Sequence, residues 1–344
     1  SRTPTRTNGL AEVVGADPHL AALAGQRLYF SLSHSEVAST PIRGAVFSAS
    51  GVIANVPEHA PAASFEGYLA ATGLNFRLGR GQLLNEEHPA PAYHRFCASA
   101  AVRFREILSL GLAEKRPELA ALLRGMMLGE KHEISEERQA VFMRSGTMHL
   151  FAISGLNIGV IAIALQALLA LTRMPQGPRF AAATILLWVF VDITGGSPSA
   201  VRAWLMTTFV QAAFVLHRPG NVLAAIAASA AATMLVAPLE VFSASFVMSY
   251  AIVLALLLLG LPLAGRWQCG WKPWRHIPEV AWTRWQTGVA AAWAWTSGAM
   301  AIGLATSLVS VLTGIQYFQL ITPGALIANL ALIPAAVGVT VAGF

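Results

Sequence analysis

The chain has 344 residues and a formal net charge of +6, with 55% hydrophobic residues and only 12% charged residues. A soluble domain usually carries about 25% charged residues. Half of that value excludes a disordered chain, a soluble enzyme with a highly charged surface and a DNA-binding protein of the basic-surface type. With a mean hydropathy of +0.58, the class that remains is a membrane protein.

The charged residues are unevenly distributed along the chain. Residues 1–148 contain 15 basic and 14 acidic side chains, whereas residues 149–344 contain 8 basic and 3 acidic ones. No charged residue follows Arg284. We therefore expect a first part that is polar enough to meet water and a second part that is embedded in a membrane.

The sequence offers no pattern for a disulfide framework, a metal or a cofactor. Its two cysteines, Cys97 and Cys269, are too few for a framework, and no spacing of His, Cys, Asp and Glu is typical of a metal site. We predict neither a metal nor a cofactor. Because the chain starts with Ser1 and ends inside an apolar run, we expect it to be a piece of a longer protein, cut at both ends.

Residues 1–90 have the pattern of a small β domain. Leu74, Phe76 and Leu78 alternate with polar residues or glycine, which is typical of a strand with one face in water. The segments Leu28–Leu32 and Ala45–Val56 are rich in β-branched and aromatic residues and lie between clusters of Gly, Pro and Ser. About 80 residues with four to five short strands predict a small barrel or sandwich.

Residues 91–148 change to a helical pattern. Apolar residues recur at three-to-four spacing from Tyr93 to about Gly129, and two shorter helices are predicted at Pro117–Leu128 and Ser135–Arg144. Two placements are open for these helices. They lie along the membrane surface with basic residues toward the headgroups, or they pack against the β domain.

Residues 149–344 contain seven apolar runs that approach the roughly 20 residues needed to cross a bilayer. The predicted spans are His149–Leu171, Phe180–Thr194, Pro198–Leu216, Asn221–Ala237, Val241–Leu261, Thr287–Leu312 and Tyr317–Ile333. Pro334 is expected to break the last run, and the residues after it to begin an eighth.

The connections between these runs alternate in charge. Seven basic residues lie in three of them, Thr172–Arg179, Leu216–Gly220 and Pro262–Trp285, and none lies in the three connections in between. The positive-inside rule places the basic connections in the cytoplasm. The first span then begins outside, so residues 1–148 are predicted to be extracytoplasmic.

Asp192 and Arg202 are ionisable residues inside the apolar region, where each costs about 2.5–3.5 kcal/mol on insertion scales. Two glycines break the helix between them, Ser197 is a suitable N-cap, and Pro198 suits the first helical position. Both charges are therefore expected near one turn, where they can approach each other. Two interpretations are open: a structural ion pair, or a polar contact on a translocation path for an anion.

Two further patterns mark the apolar part. Ser154 and Asn157 share a helix face, and Gly155 and Gly159 form a small-xxx-small pair that lets another helix approach. The polar pair either joins helices or lines a pore. Five tryptophans crowd the long basic connection, which predicts an aromatic belt at the membrane interface or, alternatively, a surface for stacking nucleic-acid bases. These residues are Trp267, Trp271, Trp274, Trp282 and Trp285.

Two segments resemble the ComEC family of competence proteins. Residues 149–159 have the sequence HLFAISGLNIG, which is similar to the family's HLLAISGLHVG, and residues 195–203 have GGSPSAVRA, which is similar to GxSPSAxRA. Weaker similarities occur at Leu122–Glu130, Phe65–Leu74 and Ala244–Tyr250. Asn157 stands where the family usually has His, so no proton or metal role is carried over to that position.

The resemblance implies a fold, a location and a function. The fold is a polytopic α-helical protein of the inner (cytoplasmic) membrane with an OB-like extracytoplasmic β domain at 1–90, linking helices at 91–148 and a multi-span channel domain at 149–344. The function is uptake of single-stranded DNA in natural transformation. The family's C-terminal nuclease-like domain has no counterpart in this sequence, so no catalytic activity is predicted.

A DNA strand needs a wide polar path with few fixed charges, because tight pairing with phosphates would trap a polyanion. The predicted path residues are Ser154, Asn157, Asp192, Ser197, Ser199 and Arg202. OB-like barrels bind single strands by stacking and basic grooves, so Phe76, Arg77 and Arg80 are candidates for a weak DNA contact in the outer domain.

The implied partners are single-stranded DNA, membrane lipid, a DNA receptor, cytoplasmic motor or DNA-binding proteins of the uptake machinery, and a second copy of the chain. Two rival functions are open. A small-solute or lipid-precursor transporter would have a compact site at one helix break and no dependence on DNA. A structural membrane scaffold would not need an essential Arg202.

Overall fold

The computed structural model describes residues 6–343 except 16, 34–40, 58–60, 62–63, 152, 154, 218–219, 320–321 and 323. The chain is mostly helical and carries a small β sheet near its N-terminus. The predicted order of a β part, linking helices and apolar helices is therefore the order that the structure shows.

Four strands in the described residues form one sheet in the order β1-β2-β4-β3. They are β1 (Arg6–Glu12), β2 (Arg27–Ser33), β3 (Val46–Asn55) and β4 (Phe76–His88). The two outer pairs are antiparallel and the central pair β2–β4 is parallel. A short helix α1 (Phe65–Ala71) connects β3 to β4, and Ser64 caps its start by accepting a hydrogen bond from the Gly67 amide.

The alternation predicted for the last strand is confirmed. Phe76 and Leu78 pack on the core of the sheet, which is built on Leu28, Phe30 and Leu32 of β2. Arg77 lies on the opposite face and donates to Glu66 of α1 at 2.9 Å. The predicted segments at 28–32 and 45–56 are strands β2 and β3. Closure of the sheet into an OB-like barrel stays a prediction.

The linking region forms three helices, α2 (Ala92–Ser109), α3 (Pro117–Leu128) and α4 (Glu136–Arg144). Helix α3 begins and ends at the predicted residues because Pro117 suits its first position and Gly129 ends it in a left-handed conformation, with φ 76°. Salt bridges Arg105–Glu130 and Arg124–Glu133 tie α2 and α3 to the segment that follows.

The apolar part contains eight helices in the described residues. They are α5 (Gly155–Ala170), α6 (Gln176–Ile193), α7 (Pro198–Val215), α8 (Val222–Val236), α9 (Ala244–Ala255), α10 (Leu261–Gly270), α11 (Arg284–Thr313) and α12 (Ala325–Gly343). A π-helical turn, Leu256–Gly260, joins α9 to α10 without a break, and another, Gly314–Phe318, extends α11. Buried Ile158, Ile161, Leu187 and Val191 pack α5 against α6.

Among the described residues, two continuous helices are long and apolar enough to cross a membrane. They are Ala244–Gly270 with 27 residues and Arg284–Tyr317 with 34 residues. At about 1.5 Å per residue, both exceed the roughly 30 Å of a bilayer's hydrocarbon core. Three further apolar helices are shorter: Gly155–Ala170, Val222–Val236 and Ala325–Val341.

Boundaries predicted for the first and last spans are wrong. The first predicted span begins at His149, but Met148–Phe151 forms a 3₁₀ turn and α5 begins only at Gly155. The last was expected to break at Pro334, but α12 continues through it. Proline removes one backbone hydrogen bond from a helix interior, and apolar helices tolerate that loss when neighbouring helices support the turn.

Candidate functional site

Arg202 is the most buried ionisable side chain of the apolar helices, with 1% of its side chain exposed. It lies just inside the start of α7, where Ser197 accepts a hydrogen bond from the Ala200 amide at 3.3 Å and Pro198 occupies the first position. The predicted cap and helix start are therefore confirmed. This start places the guanidinium inside the bundle instead of in the turn.

The guanidinium of Arg202 is held by residues that follow α8. It donates to the Glu240 carboxylate at 3.1 Å, to the Ser245 carbonyl at 2.9 Å and to the Ser249 hydroxyl at 3.1 Å. The ring of Phe246 lies 6.0 Å from the guanidinium carbon. Helix α7, the 3₁₀ turn Pro238–Phe242 and helix α9 thus meet around one cation, and its charge is compensated by one carboxylate.

Asp192 does not pair with Arg202, so the ion pair expected across the turn is wrong. The Asp192 carboxylate, with 6% of its side chain exposed, accepts from Arg43 at 2.9 Å and from the Tyr93 hydroxyl at 2.8 Å. The two side chains do not meet because they point in different directions. Gly195 and Gly196 have φ values of 93° and 61°, and the turn they form leaves Asp192 facing the β domain while Arg202 points into the bundle.

The Tyr93 phenol is a donor in this contact. Burial, followed by the hydrogen bond to the Asp192 carboxylate, raises the pKa of Tyr93 above its usual value. Tyr93 therefore stays protonated at neutral pH and can keep donating. Arg43 precedes β3 and Tyr93 begins α2, so the β domain and the first linking helix both dock on the end of α6.

A second contact places the β domain at the same end of the bundle. Gly73, which follows α1, lies so close to Leu239 that a Cβ at Gly73 would be 2.5 Å from the leucine Cδ1. Leu239 belongs to the 3₁₀ turn Pro238–Phe242 between α8 and α9. Arg179 lies near the other end of α6, about 20 Å along the helix from Asp192, and Arg173 lies just before that end.

Asn157 lies on α5 next to α3 and α12. Its amide nitrogen donates to the Met126 carbonyl at 3.4 Å, and its side-chain oxygen accepts from Thr340 at 3.5 Å. Gly155 faces α7 because a Cβ there would lie 3.7 Å from Ala203, whereas a Cβ at Gly159 would meet nothing within 4 Å. The structure therefore places Asn157 at a junction of α3, α5 and α12.

The other predicted site residues are spread over the structure. Ser199 is half-buried in the first turn of α7, whereas Ser154 lies outside the described residues. In the β domain, Phe76 packs on the core, Arg77 is paired with Glu66, and Arg80 is exposed with a φ of 51°. Of the predicted path residues that the structure describes, only Ser197, Ser199 and Arg202 are brought together.

Sequence reasoning missed the partners of both charges. Glu240 is one of only three acidic residues after residue 148, and that scarcity was a usable signal. Arg43 and Tyr93 gave no such signal, because they are 149 and 99 positions from Asp192 in the sequence.

Next to the Arg202 group, the Tyr250 hydroxyl lies 3.3 Å from Ser229 and 3.4 Å from Thr233, which extends the polar contacts into α8.

The tryptophans predicted to form an interfacial belt do cluster around the long basic connection. Trp267 and Trp271 are stacked at 6.2 Å, and Trp274 lies 5.3 Å from Trp285. The Lys272 ammonium lies 5.6 Å from the Trp282 ring. Within the described parts of the chain, no three His, Cys, Asp or Glu side chains are close enough to hold a metal ion.

Comparison with known proteins shows the family to which the sequence is related. A family model described as "Competence protein" matches residues 126–344. ComE operon protein 3 of Bacillus subtilis (strain 168) is 25% identical over 154 residues, which is 45% of this chain and only 20% of that relative. No solved structure matches significantly.

Proposed function

The chain belongs to the competence protein family, and from that premise we propose that its helices cross the cytoplasmic membrane several times and conduct single-stranded DNA into the cell. Membership of the family and the similarity to ComE operon protein 3 support a role in competence and DNA uptake. The conducting role, the strand and the topology are the parts that we propose. The aligned region covers about a fifth of the relative's length, so the activity of the whole protein is proposed as well.

The observation that carries the proposal is the docking of the β domain on the turn between α6 and α7. Asp192 is bonded to Arg43 and to Tyr93, and the next residues lead through Gly195–Pro198 into the helix that carries Arg202. A strand that first met the β domain would therefore meet the helical bundle at this turn. The proposed entrance is the end of the bundle that carries the β domain.

The charges around the proposed path suit a polyanion. The buried cation of Arg202 is compensated by Glu240, and it also donates to the hydroxyl groups of Ser245 and Ser249. An uncompensated cation would bind phosphates tightly and hold the strand, since Coulomb attraction is strong where water is scarce. Ser199 and Asn157 are polar side chains without a fixed charge.

The proposed orientation follows the basic connections. Those before α6 and after α7 and α10 lie in the cytoplasm by the positive-inside rule, and the β domain docks at the opposite end of α6. The β domain is then outside the cell membrane, where incoming DNA arrives. We assign no catalytic activity, and the proposed partners are single-stranded DNA, membrane lipid and the receptor and motor proteins of uptake.

Photo-crosslinking during uptake tests the proposal. A photoreactive residue replaces Ser199 or Asn157 in full-length protein, and Leu235, which is 86% exposed on the outside of α8, is the control position. Illumination while labelled DNA enters should link DNA at the first two positions and not at the third. A solute or lipid-precursor transporter would give no DNA adduct at any position, and adducts at Leu235 alone would overturn the proposed path.

A further inference from the structure

An open cavity of about 400 Å³ lies between α5, α6 and α7 at the end remote from the β domain. Its polar lining includes Gln166 of α5, Arg179 of α6 and Gln211 of α7. The Gln166 amide nitrogen donates to the Gln211 side-chain oxygen at 2.9 Å, which joins α5 to α7. Gln211 uses its oxygen in that bond, so its own amide nitrogen is available as a donor.

The cation of this cavity has no carboxylate nearby. Among the described residues Arg179 forms no salt bridge, and Asp192 is the only acidic residue between His149 and Val236 in the sequence. Asp192 is at the other end of α6, about 20 Å from Arg179, where it is bonded to Arg43. The cavity therefore presents a positive charge that no described carboxylate neutralises.

The remaining walls of the cavity are apolar. Phe180 lies beside Arg179 on α6, and Phe214 and Val215 close the side formed by α7. Phe214 is 63% exposed, so the aromatic wall opens outward from the bundle. A ligand that fits both sides has an anionic head for Arg179 and the Gln211 amide and an apolar body for the aromatic rings. Arginine's planar fork matches the geometry of a phosphate group.

We propose that this cavity binds the phosphate of an anionic phospholipid in the cytoplasmic leaflet. Basic pockets between membrane helices on the cytoplasmic side are suited to anionic headgroups. The macrodipole of α6 adds to the attraction, because the 18-residue helix begins at Gln176 on the edge of the cavity. The inference rests on the orientation given under the proposed function, but not on conduction of DNA.

The test measures lipid bound to the purified full chain. Protein extracted in mild detergent is mixed with phosphatidylglycerol or with zwitterionic phosphatidylcholine, and native mass spectrometry counts the retained lipid. Arg179→Gln should lower the retained phosphatidylglycerol about fivefold, the effect expected for one cation near an anionic headgroup. Arg173→Gln is the matched control, because it removes the same charge from an exposed neighbour that does not line the cavity.

Each other outcome overturns the inference. Equal losses in both variants would mean general surface charge, and equal retention of phosphatidylcholine would remove the anionic preference. Displacement of the lipid by millimolar inorganic phosphate would mean a site for free phosphate, and displacement by a single-stranded oligonucleotide would mean a DNA contact. The readout needs no transport, so a chain that fails to conduct DNA still reports on the lipid site.

A second variant guards against misfolding of the first. Gln211→Leu keeps the side-chain volume but removes the amide donor and the bond to Gln166, and it should also lower retained phosphatidylglycerol. Unchanged retention in Gln211→Leu together with unchanged retention in Arg179→Gln would overturn the site. DNA uptake measured in the same variants separates the two proposals, since loss of lipid with normal uptake leaves the channel proposal intact.

Discussion

Tyr93 and Asp192 are 99 positions apart in the sequence, and the phenol of Tyr93 donates a hydrogen bond of 2.8 Å to the Asp192 carboxylate. Arg43 occupies the other oxygen of the same carboxylate. One nearly buried acidic group thus joins the segment before β3, the start of α2 and the end of α6. The β domain and the apolar helices are connected by a contact that both parts must form together.

The two bonds to Asp192 should contribute differently to stability. Arg43 is 68% exposed, although Asp192 is only 6% exposed. Water screens the exposed guanidinium and can take its place beside the carboxylate, so Arg43→Gln should cost no more than about 0–1 kcal/mol. Tyr93→Phe leaves one carboxylate oxygen without its donor and should cost about 1–2 kcal/mol. Denaturant titration of the full chain in detergent measures both. A larger cost for Arg43→Gln than for Tyr93→Phe would contradict this ranking.

Stability should fall at alkaline pH because of Tyr93. Its pKa is raised in the folded chain, first by burial and then by the bond to Asp192. The unfolded tyrosine ionises near pH 10 while the folded one does not, so the stabilising contribution is complete below about pH 10 and is lost as pH rises through the folded pKa. Melting temperatures from about pH 8 to about pH 11 should decline less steeply for Tyr93→Phe. Parallel declines in the two proteins would exclude this role.

Breaking the Arg202–Glu240 pair from either side should have unequal effects. Glu240→Gln leaves a cation that is 1% exposed without its counter-charge, and such a change costs about 3–5 kcal/mol. Arg202→Met leaves only a carboxylate that is 32% exposed and partly hydrated, so its cost should be smaller. The double variant, Arg202→Met with Glu240→Gln, should recover much of the stability that Glu240→Gln alone loses.

The same double variant separates the two interpretations of Arg202. If Arg202 only stabilises the bundle, DNA uptake should return when both charges are removed and the protein level is normal. If the cation contributes to the path, uptake should stay low in a chain that is folded. Normal uptake in Arg202→Ala at the normal protein level would remove Arg202 from the mechanism altogether.

Gly146 should be more sensitive to substitution than Gly111, although both have a φ of 70°. Alanine in this left-handed region costs about 1–2 kcal/mol at either position. A Cβ at Gly146 would also lie 2.6 Å from the Ala325 Cβ at the start of α12, whereas a Cβ at Gly111 would meet nothing within 4 Å. Forcing α12 away should add about 1–3 kcal/mol. Equal costs for the two alanine variants, measured by thermal unfolding, would mean that α12 does not pack on Gly146.

Local patterns predicted most of the elements, because they depend on neighbouring residues. Pro117 and Gly129 determine both ends of α3, and Ser197 with Pro198 determines the start of α7. Alternation in β4 predicted which face meets the core. The start of α5 was predicted too early because apolar composition alone does not distinguish a 3₁₀ turn from a helix over Met148–Phe151.

The partners of the site were less predictable, because they depend on how distant segments meet. Asp192 and Arg202 are close in sequence and opposite in charge, which favoured a pair between them. The turn at Gly195 and Gly196 sends them in different directions, and each then binds a residue from another element. Only Glu240 was accessible to sequence reasoning, as a rare acidic residue next to a predicted helix end.

The orientation of the helices can be tested with the cysteines that the chain already has. Cys97 is buried and Cys269 is exposed, and Cys269 lies in the last turn of α10, next to the basic connection that we assign to the cytoplasm. Val14 is 77% exposed in the β domain.

A membrane-impermeant thiol reagent should therefore label the Val14→Cys, Cys269→Ser variant in intact cells. It should label Cys269 of the parent chain only after the membrane is permeabilised, because the positive-inside rule keeps the basic connections inside. Labelling of Cys269 in intact cells, with no labelling at position 14, would reverse the orientation and move the proposed DNA entrance and lipid site to the opposite sides of the membrane.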